Sequence, residues 1–119
     1  MARAQAPDLT GQVVIVTGAN AGIGKETAVA LAQLGATVVM TARTRSKGED
    51  ALAEVQRRTG ASSVVLGDLD LGSFASVRAF VDWFLGSFDR LDVLVNNAGL
   101  ITDTRRETAD GFEEMFGVN

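Results

Sequence analysis

The sequence predicts an α/β protein built on a doubly wound parallel sheet, an expectation carried by three observations. Short β-branched runs alternate with longer stretches of helical period. The runs are too continuously apolar for a sheet that is wet on one face. A glycine-rich turn, Thr17 to Gly24 (TGANAGIG), joins the first run directly to a helical stretch.

The first strand is expected over Val13 to Thr17, followed by a helix from about Ile23 to Leu34 that ends at Gly35, a residue suited to a left-handed C-terminal cap. A second strand, Thr37 to Thr41, leads to a helix over Ser46 to Thr59 that closes at Gly60 in the same way. Ser63 to Leu66 and Leu91 to Asn96 read as strands three and four. Between them a helix of about Ser73 to Phe88 places Phe74, Val77, Val81, Phe84 and Phe88 on one apolar stripe that should face the core. Trp83 falls on the opposite side, where it either flanks another element or marks a contact surface. Right-handed crossovers then put the first two helices on one face and the third on the other. The resulting strand order is 3-2-1-4, with the ligand crevice between strands one and four.

A chain of 119 residues has room for one domain, and 46% hydrophobic residues with a single Pro fit a packed core. A net charge of -4 argues against a broad grip on nucleic acid, so the expected partners are small molecules. The absence of cysteine excludes disulfides and thiolate metal sites, and no metal centre is expected. Met1 to Gln12 has no apolar signal region and no segment reaches the length of a membrane span. These features suit a cytoplasmic protein whose residues to about Asp8 form a loose tail.

The turn itself carries chemistry. Gly18, Gly22 and Gly24 lack side chains that would hold a pyrophosphate away from the backbone, and the following helix offers unpaired N–H groups at its positive end. A strand, a glycine turn and a helix in that order make a nucleotide phosphate site. A second signature, NNAG at Asn96 to Gly99, ends strand four where the crevice should lie.

Together TGxxxGxG and NNAG resemble the short-chain dehydrogenase/reductase family over Leu9 to Asn119. The wording of DLTGQVVIVTGANAGIGKETA and DGFEEMFGVN is similar to the branch containing retinol dehydrogenases and the WW-domain oxidoreductase. The resemblance implies a Rossmann-type fold of which this chain forms the amino-terminal, dinucleotide-binding half. It further implies that Gly18, Asn20, Gly22, Ile23 and Gly24 line the cofactor's phosphates and adenosine ribose, that Thr17 braces the turn, and that Asn97, Ala98 and Gly99 border the cofactor. Asn96 is expected to tie neighbouring strands together. Asp68 matches the aspartate that holds the adenine amino group, with Leu69 alongside, although a plain turn role would also suit it. Asp70 reads as a cap for the third helix.

Cofactor choice turns on the end of strand two, where an acid would hold ribose hydroxyls and a base would accept a 2'-phosphate. Here Ala42 stands where the acid would be, and Arg43 follows with Arg45 and Lys47 nearby. NADP(H) is expected, with NAD(H) as the alternative and a merely solvated basic loop as the plain reading.

By the same resemblance, a Tyr, a Lys and a Ser handle the substrate proton and carbonyl while an Asn holds a water in the proton path. Asn119, preceded by FGV, matches that Asn; an ordinary helix residue is the alternative. The Ser and the Tyr-x-x-x-Lys are not matched, and the chain contains no Tyr. The expectation is an amino-terminal piece of an oxidoreductase acting on a carbonyl or alcohol, inactive by itself and a homo-oligomer when full-length. The other reading is a noncatalytic nucleotide-binding module or pseudoenzyme. Phe112, Met115, Phe116 and Val118 should form the first buried turn of a further helix containing Asn119. Strand four should present an apolar edge to solvent, because the fifth strand is missing.

Overall fold

A computed structural model describes residues 7–119, so the expected tail lies outside the described residues except for Pro7 and Asp8. Four strands, β1 (Val13–Val16), β2 (Thr37–Ala42), β3 (Val64–Asp68) and β4 (Val93–Val95), form one sheet of order β3-β2-β1-β4. All three pairings are parallel: Ile15 lies beside Val39 and Leu94, and Met40 beside Leu66. Helices α1 (Gly22–Gln33), α2 (Arg45–Thr59) and α3 (Phe74–Ser87) make the crossovers, and a short α4 (Glu114–Val118) follows β4. The order and the alternation are those expected. Gly35 and Gly60 take positive φ at the ends of α1 and α2, also as expected.

Two apolar layers sandwich the sheet. Val14, Val16, Val38 and Met40 point to one face, where Ala28, Val29 and Ala32 of α1 and Ala51 and Val55 of α2 cover them. Val13, Ile15 and Val39 point to the other, against Phe80 and Phe84 of α3. Period-two alternation along each strand thus sends successive valines into different cores. On the outer side, Lys25 pairs with Glu54 at 3.1 Å, and Arg58 reaches Glu26 at 2.7 Å and Glu54 at 3.2 Å, which links α1 to α2. Among the described residues, no helix is long and apolar enough to cross a membrane.

Three expectations are corrected. On α3 the sheet-facing residues are Val77, Phe80, Phe84 and Phe88, whereas Phe74 and Val81 are exposed. Steps of three, four and four keep the first set on one face. Phe74 and Val81, seven apart, lie together on its flank. Trp83 is not opposed to the core: its ring meets Phe80 at 5.7 Å and Phe88 at 6.1 Å, and a Cβ at Gly67 of β3 would come within 2.9 Å of it. It flanks an edge strand. The turn around α4 is not buried, since Phe112 and Phe116 are both exposed, and Asn119 caps that helix at its C-terminal end. On β4, as expected for an edge, Val93 and Leu94 are 44% and 49% exposed. Beside them, under α3, lies an apolar groove of about 430 Å³ reaching from Ile15 to Leu85 and Leu94.

Candidate functional site

β1 ends in a turn whose glycines do three separate jobs. Gly18 has φ +62°, and a Cβ on it would stand 2.8 Å from the Ala98 Cα. Gly24 would drive a Cβ to 2.5 Å from the Gly18 carbonyl oxygen and onto the Asn97 amide. Both residues therefore let the turn press against the end of β4. Gly22, at φ +56°, has nothing within 4 Å of its would-be Cβ and opens toward solvent at the start of α1. There Ala21 supplies no side-chain cap and the first helical turn has no acidic residue. The leading N–H groups of α1 thus have neither a capping side chain nor an acidic residue in their own turn, which leaves the positive end of the dipole open to an anion.

The turn is locked to β4 through Thr17, which is buried. Its hydroxyl oxygen accepts hydrogen bonds from the backbone N–H groups of Asn97 at 3.1 Å and Ala98 at 3.0 Å. In return Asn97 Nδ2 donates to the carbonyls of Thr17 and Gly18 at 3.1 and 3.2 Å. The strand-tying amide is therefore Asn97. Asn96, expected in that role, is exposed and lines the apolar groove. Thr17 braces the turn as expected.

A cleft of about 180 Å³ opens where β1 and β4 diverge, at the reversal of strand order. Gly18 and Asn20 form one wall, Ala98, Gly99 and Leu100 another, and Ala42 with Arg43 closes the end of β2. The third wall is Leu69, Asp70 and Leu71. Of the expected site residues, Gly18, Asn20, Arg43, Leu69, Ala98 and Gly99 line this cleft, while Thr17, Gly24 and Asn97 brace it from behind. Gly22 and Ile23 sit at the neighbouring mouth of α1.

Asp68 is outside the cleft. β3 runs two residues further than expected, through Asp68, which pairs with Ala42 and shares the α2 face with Leu66. Its Oδ1 lies 3.1 Å from Arg45 Nη1, an exposed ion pair. The carboxylate in the cleft is that of Asp70, two residues on. Its Oδ1 accepts from Gly72 N–H at 2.9 Å, and its own N–H donates to Ser76 Oγ at 2.8 Å. The cap of α3 is Ser73, whose hydroxyl accepts from Ser76 N–H, and not Asp70. Asp70 was read from the sequence as a cap, and Leu71 and Leu100 were not singled out; the length of β3 was the signal that could have placed the first two at the cleft.

The cations divide in the same way. Arg45 donates to Asp68 and to Glu49 at 3.0 Å, and these bonds, Asp68 first, raise its pKa further. Arg43 is exposed at the cleft rim, and among the described residues no carboxylate pairs with it. Asn119 spends both ends of its amide on one residue: Oδ1 accepts from Leu100 N–H at 2.8 Å and Nδ2 donates to the Leu100 carbonyl at 2.9 Å. It thereby holds the backbone just beyond Gly99.

The short chain dehydrogenase family model matches residues 12–119. The chain is 50% identical over 111 residues to human (Homo sapiens) retinol dehydrogenase 11, an alignment covering 93% of this chain and 35% of that protein. It therefore spans about a third of the length of such curated relatives. Among solved structures it is similar to the N-domain of a bacterial malonyl-CoA reductase with NADP, with TM-score 0.75 and 39% identity, covering 80% of this chain and 18% of that one. It is also similar to a metagenomic short-chain oxidoreductase in complex with NADP, with TM-score 0.70 and 41% identity, covering 77% and 41%.

Proposed function

The chain belongs to the short-chain dehydrogenase family, and on that premise we propose that it carries the cofactor-binding part of an NADP(H)-dependent oxidoreductase acting on a carbonyl or alcohol. The observation that carries the cofactor reading is Arg43, unpaired among the described residues at the rim of the cleft, beside Ala42 where a carboxylate would repel a 2'-phosphate. The NADP-bound neighbours support it.

The site fits a dinucleotide. The uncapped, acid-free start of α1 with Gly22 open before it suits the pyrophosphate. Asp70 and Leu71, rather than Asp68, take the adenine edge, because Asp70 lines the cleft and its Oδ2 has no protein donor among the described residues. Ala98 and Gly99 keep the β4 side of the cleft low enough for a nicotinamide ribose. When bound, the cofactor supplies a hydride acceptor or donor at its nicotinamide. Asn119 fixes the wall of the cleft through its bonds to Leu100, and the second lone pair of Oδ1 and second hydrogen of Nδ2 stay available to a water. The names of relatives such as retinol dehydrogenase 11 support an apolar alcohol or aldehyde as substrate.

The test is a titration of the chain with NADPH and NADH. Preference for NADPH, reduced by about tenfold or more in Arg43→Ala, is the expected outcome. Equal affinity of the unaltered chain for both cofactors would sink the cofactor reading.

A further inference from the structure

Beyond Gly99 the chain turns back along the cleft. Residues 107–118 make one hydrogen-bonded unit: Thr108 N–H donates to the Phe112 carbonyl at 2.7 Å, Gly111 N–H donates back to the Thr108 carbonyl at 3.0 Å, and Glu107 bridges Glu113 in antiparallel fashion. Gly111 takes φ +83° at the tip. α4 grows directly out of this turn, and Gly117 lets it lie there, since a Cβ on it would stand 2.8 Å from the Thr108 methyl.

The unit supplies part of the cleft. Val118 lines it together with Leu100, whose backbone is held by Asn119. Gly72, in the loop after Asp70, faces the same unit: a Cβ there would have Val118 at 3.5 Å and Thr108 at 3.7 Å. Yet among the described residues only one hydrogen bond joins residues 101–119 to residues 7–99. Asp110 Oδ2 accepts the N–H of Phe74, the first residue of α3, at 2.7 Å. α3 has no acidic residue in its own first turn, so a carboxylate 36 residues away meets an N–H that the helix cannot satisfy. Beside this bond the Phe112 ring stands edge-on to that of Phe74, with centroids 5.7 Å apart.

We propose that Asp110 is a positioning residue for the nucleotide: its bond to α3 latches the 107–118 unit in place, and with it Val118 and Leu100 at the cleft wall. The proposal rests on the cofactor reading above and deepens it by naming what holds that wall. With the latch released, the wall is in place for only a fraction of the time, and the apparent affinity falls by that fraction. The charge of Asp110 acts the other way. NADPH is an anion, so by electrostatics alone the loss of a carboxylate would tighten binding. Latch and charge therefore differ in the sign of their effect.

The unaltered chain, Asp110→Ala and Asp110→Asn are compared by calorimetric titration with NADPH, and by amide hydrogen exchange without nucleotide. Asp110→Ala removes the acceptor and is expected to weaken NADPH about threefold, the scale of one exposed helix-capping bond. Asp110→Asn loses the charge but keeps an acceptor oxygen, and should bind at least as tightly as the unaltered chain. In free Asp110→Ala the Leu100 amide, which donates to Asn119, should exchange faster while the amides of β2 do not change. Unchanged or tighter NADPH binding in Asp110→Ala overturns the proposal and leaves the cofactor reading standing. So does an Asn variant as weak as the Ala one, or exchange that either leaves Leu100 unaffected or rises throughout the sheet. If the unaltered chain binds no NADPH, the cofactor reading fails and takes the proposal with it.

Discussion

Thr17 and Asn97 hold each other by complementary groups. The Thr17 hydroxyl receives the Asn97 backbone N–H at 3.1 Å, and the Asn97 side chain returns a bond to the Thr17 carbonyl at 3.1 Å. The clasp joins the glycine turn to the end of β4, the two segments that bound the cleft. Thr17→Val leaves the N–H groups of Asn97 and Ala98 without their acceptor and is expected to cost about 2 kcal/mol in urea unfolding. Asn97→Ala should cost a similar amount, and the double variant less than the sum, because both belong to one network. Additive losses would show that the two act separately.

The glycines separate by substitution. Gly24→Ala should destabilise the chain strongly, since its Cβ meets the backbone of Gly18 rather than a movable side chain. Gly22→Ala is limited to the backbone strain of positive φ, about 1 kcal/mol. Gly86, in α3 with nothing within 4 Å, should gain roughly 0.5 kcal/mol as alanine. Thermal melts of the three variants check the ranking.

Asp92 ties the start of β4 to β1. It accepts from Val13 N–H at 2.8 Å and from the Arg90 guanidinium, and these partners, Arg90 first, hold its carboxyl below the usual range. A depressed folded pKa means that the contribution is present above the unfolded aspartate value of about 3.9 and is lost as pH falls through the folded value. Asp92→Asn should therefore destabilise at neutral pH and flatten the acid limb of a stability-against-pH curve. An unchanged acid limb would remove Asp92 from the account.

Exposed Leu85, Leu91, Val93 and Leu94 lie along the β4 side of the sheet, next to the unpaired edge. An apolar edge of this kind pairs with other chains. Sedimentation of the 119-residue chain should show association that Leu94→Lys reduces; a monodisperse monomer would contradict this.

Much of this architecture was legible because β-branched runs, helix-ending glycines and the TGANAGIG turn are local signals. What was misread depended on phase. Ending β3 at Leu66 instead of Asp68 moved the cleft carboxylate by two residues, from Asp70 to Asp68. Between Asn96 and Asn97, only the fold decides which amide faces Thr17. On α3, Phe74 and Phe84 look alike in composition, and packing against β1 and β2 selects the stripe through Phe80. The partners of Arg45 come from α2 and β3, a tertiary arrangement that sequence spacing does not reveal.

Mapping backbone amide shifts of the isotope-labelled chain as NADPH is added tests the central claim most directly. The account predicts perturbations at Gly18 to Gly24, Arg43, Asp70, Leu71 and Ala98 to Leu100, with Asp68 little affected. Shifts centred on the apolar groove between α3 and β4, or none at saturating NADPH, would contradict it.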